Sequence, residues 1–141
     1  MKTVADRRSR IARVRQVQHR HAASAAAQAQ GKVVQLEGNA ERLRSLRESL
    51  SAEIGPITGA ALASLAELGA RLDHVRIGLT DSIATARVLA AAKAGERRDA
   101  HIARESAERL ESRAVDALQR IIEDRVMAGA RRRPAKDQRN G

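Results

Sequence analysis

Leu50-Ser51-Ala52-Glu53-Ile54-Gly55-Pro56-Ile57-Thr58 separates two long runs of helix-forming residues. Gly suits the left-handed position after a helix, and Pro lacks the N–H and clashes with the preceding turn, so no helix passes Gly55-Pro56 unbroken. Thr58 or Gly55 can cap a second helix beyond the break. Upstream there is no proline at all, and downstream the next is Pro134. The pattern predicts a first helix over about 5–54, opened by a capping box of Thr3 with Asp6, a turn at 55–57, and a second helix over about 58–128 that stops near Gly129 and Pro134.

Composition supports helix throughout. Ala, Leu, Arg, Glu and Gln dominate, and there is no Phe, Tyr or Trp to give a globular core its bulk. A rod suits that inventory. Gly31, Gly38, Gly78 and Gly95 weaken the helices locally, and Thr80-Asp81-Ser82 after Gly78 offers an alternative helix start, hence a bundle. Continuity is preferred, because Leu72, Val75, Leu79, Ile83 and Ala86 hold three-and-four spacing across that point. The expected fold is therefore all-α: two long helices forming an antiparallel coiled-coil hairpin, the second the longer, as one domain over 1–130 with a basic disordered tail over 131–141.

Folding back at Gly55-Pro56 places residues whose numbers sum to roughly 113 face to face. Leu43, Leu46 and Leu50 then oppose Leu62, Leu65, Leu68 and Leu72, the alanine-rich run 22–29 opposes 84–92, and Ile11 opposes Ile102. In this register the second helix outruns the first beyond about Glu111. Val115, Leu118, Ile121, Ile122 and Val126 continue an apolar stripe through the overhang, and an unpaired stripe is expected to find a partner.

The formal charge of +10 is confined to the ends. Residues 1–20 carry Lys2, Arg7, Arg8, Arg10, Arg13, Arg15 and Arg20 against Asp6 alone; residues 131–141 carry Arg131, Arg132, Arg133, Lys136 and Arg139 against Asp137. Residues 91–130 are balanced, eight bases to eight acids, as in a solvated helix face with weak ion pairs. The second basic cluster is expected roughly 35 Å beyond the first, at 1.5 Å per residue.

Nothing in the sequence points to catalysis or to a cofactor. Cys is absent, so neither disulfides nor thiolate metal sites arise. His19 and His21 point to different sides of a helix while His74 and His101 stand alone, so exposed helix histidines are expected rather than a metal set. His101 and Glu105 share a face at one-turn spacing and read as a surface pair. No glycine loop follows a strand, and no apolar run is long enough to cross a bilayer. The Arg-rich start lacks a cleavage signal and is read as part of the mature protein. Basic ends offer phosphate affinity, but without aromatics to stack bases the case for nucleic acid is thin. A homo-oligomeric coiled-coil scaffold is a second reading of the same composition.

A basic start with Ile11-Ala12-Arg13-Val14-Arg15, a shorter first helix, a central break, and a longer second helix ending in Ile121-Ile122-Glu123-Asp124-Arg125-Val126 before Arg131-Arg132-Arg133 together resemble the FliJ family of flagellar export proteins and related type III secretion stalks. The resemblance spans nearly the whole chain. It implies a non-enzymatic antiparallel coiled coil, cytoplasmic and peripheral to the cytoplasmic face of the export apparatus, that binds the export ATPase hexamer and also meets the export gate and export chaperones. It would place Leu118, Ile121, Ile122, Arg125, Val126 and Arg131, Arg132 and Arg133 in or near the ATPase ring, with Val115 on the same stripe.

Overall fold

The computed structural model describes residues 2–52 and 58–132. They form an all-α helical hairpin of α1, Lys2–Ala52, and α2, Gly59–Arg132, the second helix the longer at 74 residues against 51. No strand occurs among the described residues. The turn expected at 55–57 and Arg133, with the rest of the tail, lie outside them.

The ends of the helices follow local chemistry, with corrections. Thr58 caps α2, its Oγ1 accepting the Ala61 N–H at 3.3 Å. Thr3 and Asp6 cap nothing, because α1 already includes Lys2 and both lie inside it. Gly129 does not stop α2, which continues to Arg132, so Arg131 and Arg132 are helical rather than the start of a loose tail. Their guanidiniums sit in the last turn, where cations favour the negative end of the helix dipole. Across Gly78 α2 is unbroken. The Thr80, Ser82 and Thr85 hydroxyls donate backwards to the carbonyls of Arg76, Gly78 and Asp81, the bonding of helix-interior residues rather than of a cap.

Two compact units divide the chain, His21–Arg97 and a terminal unit that joins Met1–Arg20 to Arg98–Gly141. In the first, Ala29, Val33 and Ala90 are buried together with Ala86 against them. Small side chains on both helices allow close approach, so Val33, 4% exposed, is the most buried residue described. Further along this unit Glu37 accepts from Arg87 at 2.7 Å and Asp73 pairs with Arg47 at 3.0 Å. The Arg47 guanidinium also donates to the Gly69 carbonyl, and a Cβ on Gly69 would stand 2.9 Å from it. Glycine leaves that path open.

These pairs correct the register. Their residue numbers sum to 124 for Glu37 with Arg87 and 120 for Arg47 with Asp73, not the roughly 113 that a symmetric fold about Gly55-Pro56 implies. The offsets are eleven and seven residues. A shift of seven residues leaves apolar rows facing apolar rows, which is why periodicity alone does not choose between the two registers. Leu43 and Leu72 line one cleft and Leu50 meets Leu62 and Leu65 along another, but Leu46 and Leu68 are exposed rather than opposed.

In the terminal unit Ala5, Ala12 and Ala107 are buried. Ile11 borders a shallow cleft with Ala103, Ala107 and Leu110, while Ile102, expected opposite it, is 57% exposed. The register is shifted here too. His19 and His101, expected to be separate and exposed, meet with ring centroids 5.4 Å apart, and Arg104 lies at hydrogen-bonding distance from the Nδ1 of each, 3.3 and 3.4 Å. The Arg104 Nε has no hydrogen bond but faces Glu108 at 3.6 Å, and His101 Nε2 lies 3.4 Å from Glu105.

Candidate interaction surface

No residue described is large and fully buried; the buried set is six alanines and Val33. The apolar surface left over is therefore where a partner would gain most, and the last turns of α2 carry a good part of it.

The site expected there splits into two faces. Glu111, Ala114, Ala117, Leu118 and Ile121 are half-buried at three-and-four spacing, the mark of a face that packs on another helix. With Ala5, near the start of α1 in the same unit, also buried, helix pairing reaches about Ile121 rather than ending near Glu111. Leu118 and Ile121 thus belong in part to the hairpin itself. The cause is the register: sliding one helix by a heptad lengthens the overlap by about 10 Å.

Val115, Ile122 and Val126 form the second face. Spaced by seven and four, they share one side of α2 and are 50%, 46% and 65% exposed. Arg125 beside them is exposed, as are Arg131 and Arg132 one to two turns on. The projection is therefore shorter than the sequence implies, and the two basic clusters approach each other along the helix. His19 meets Arg104, which puts Arg7 alongside about residue 116, so Arg131 lies about 15 residues further on, roughly 22 Å, in place of the roughly 35 Å expected between clusters.

Met127 was not singled out by the sequence pattern. It is 57% exposed and lines a shallow cleft with Asp124, Ala128, Arg131 and Arg132. Its unbranched thioether adapts to irregular surfaces, and its place between apolar Val126 and the terminal arginines was the available signal.

As chemistry, this end offers aliphatic contact flanked by guanidiniums, which pair bidentately with carboxylates. No helix described is long and apolar enough to cross a membrane. Among the described residues no three His, Cys, Asp or Glu side chains assemble as metal ligands. No family model, characterised protein or solved structure matches the chain.

Proposed function

We propose that the chain is a non-enzymatic coiled-coil component of a flagellar or type III protein export apparatus, working at its cytoplasmic face as a central stalk that binds and stimulates the export ATPase ring. The observation that carries the reading is the end of α2, which runs past the paired stretch and bears exposed Ile122 and Val126 beside Arg125, Arg131 and Arg132. An acidic, partly apolar channel in an oligomeric partner would complement it, the stripe packing and the arginines meeting carboxylates. The resemblance of the whole architecture to the FliJ family supplies the identity of that partner, and with it the export gate and chaperones as further contacts. Arg133 and the residues after it extend the same basic run in sequence.

Truncation after Ile121 tests this, since it removes the projecting face and spares the half-buried one. The full chain should co-purify with the export ATPase hexamer and raise its hydrolysis rate, and the truncated chain should do neither. Retained binding would move the site elsewhere, and no binding by the full chain would dismiss the stalk.

A self-associating scaffold is the second reading, favoured by the thin core: an alanine seam removes little apolar area from water, and a second copy would add more. Sedimentation equilibrium at tens of micromolar separates them, because a monomer there excludes the scaffold.

A further inference from the structure

The first five turns of α1 carry guanidiniums that nothing described neutralises. Arg7, Arg8, Arg10, Arg13 and Arg20 take part in no ion pair or hydrogen bond among the described residues, and Arg15 bonds only the amide oxygen of Gln18, at 3.1 Å. Elsewhere on α1 only Lys32 and Arg42 share this state among the described residues, and they stand ten residues apart. Further along α1, Arg44 pairs with Glu41 and Arg47 with Asp73. In the terminal unit the carboxylates Glu105 and Glu108 are engaged by α2's own His101 and Arg104.

Part of this charge is organised around an apolar strip. Arg7, Arg10, Val14 and Val17 are spaced three, four and three, so they share one face. Val14 comes nine residues after buried Ala5, half a turn around the helix, so the face is turned away from the packed side. Val14 and Val17 are 55% and 64% exposed, and exposed Arg13 stands one turn before Val17. Asp6 is the single acid among residues 1–20.

The residue types narrow what can cover this face. Interfaces between proteins favour Arg over Lys, and among residues 3–20 every basic side chain apart from histidine is Arg. A phosphate polymer would use the charge and leave the valines in water. Insertion into an anionic bilayer calls for bulky or aromatic side chains that the strip lacks. A second copy would bring the same positive face and be repelled.

We propose that this face of α1 is a docking surface, separate from the end of α2, for an acidic amphipathic helix of another protein. Its aliphatic stripe meets Val14 and Val17, and carboxylates on its flanks take Arg7, Arg10 and Arg13. Each such pair is charge-assisted and bidentate, and its strength falls with salt. The surface does not depend on the stalk reading.

The test uses the full chain and a fluorescent designed helical peptide of about three heptads, with Leu along one stripe and Glu on both flanks. Anisotropy should show binding that weakens about tenfold or more when the peptide's Glu become Gln, and likewise when its Leu become Ala. The same loss is expected on the protein side for Arg7→Gln/Arg10→Gln/Arg13→Gln and for Val14→Ser/Val17→Ser, while truncation after Ile121 should leave it unchanged. The peptide variants report even if a protein variant folds poorly. Absence of binding would overturn the proposal. So would a DNA duplex or phosphatidylglycerol vesicles binding as tightly as the peptide, with no effect of the valine substitutions.

Discussion

Glu37 accepts two bonds from Arg87, from Nη2 at 2.7 Å and from Nε at 3.2 Å, and by doing so ties a residue of α1 to one fifty positions later on α2. Both side chains are about half-exposed or more, so the pair adds little to stability; its consequence is register. Reversing either charge, Glu37→Arg or Arg87→Glu, should lower the unfolding free energy by at most about 1 kcal/mol, with the double reversal recovering most of it. Urea denaturation of the four chains makes that cycle, and a coupling indistinguishable from zero would remove the pair as a register device.

Val33 and Ala29 against Ala90 set the closest packing in the unit His21–Arg97. Val33→Ala deletes two buried methyl groups and should cost about 1–2 kcal/mol. Ala90→Leu forces a larger side chain into a seam built for alanine and should cost about 1–3 kcal/mol. Thermal melting followed at 222 nm reads both. An Ala90→Leu chain that melts higher than the parent would mean the alanine seam is underpacked.

How much of this the sequence discloses depends on what periodicity can encode. The helix type, the cap at Thr58 and the continuity of α2 through Gly78 follow from propensity and three-and-four spacing, which act within a helix. Register between helices does not. Leu43 shares a cleft with Leu72, and Leu50 with Leu62 and Leu65, close to the expected register, whereas Leu46 is exposed and the ion pairs of Glu37 and Arg47, invisible to an apolar template, lie seven to eleven residues off it. The candidate site inherits that limit. Leu118 and Ile121 look identical in sequence to Ile122 and Val126, and only the longer overlap assigns them to different faces. The meeting of His19 with His101 across the helices was hidden for the same reason.

Gly38 and Gly78 sit in helix interiors where an added Cβ would meet nothing within 4 Å. Neither has a positive φ, so alanine fits the backbone already present. Gly38→Ala and Gly78→Ala should each stabilise by about 0.5–1 kcal/mol, through helix propensity and a less flexible unfolded chain. Gly69→Ala should not gain as much, because its Cβ would displace the Arg47 guanidinium. Comparing the three melting temperatures checks this, and an equal rise at Gly69 would show that Arg47's contact contributes nothing.

The division of α2's last turns into a paired and an open face leads to opposite expectations for neighbouring residues. Ile121→Ala removes three methyl or methylene carbons from a half-buried position and should cost about 1–2 kcal/mol. Ile122→Gln with Val126→Gln changes two residues that are 46% and 65% exposed, and should move stability by no more than about 0.5 kcal/mol in either direction. Hydrogen exchange adds a second reading: amides up to Ile121 should be protected by pairing, while those from Ile122 to Arg132 belong to an unsupported helix end that opens at little cost. Equal protection on both sides of Ile121, or a double Gln variant as destabilised as Ile121→Ala, would mean that the apolar stripe is already covered in the isolated protein, and by a second copy rather than by a channel.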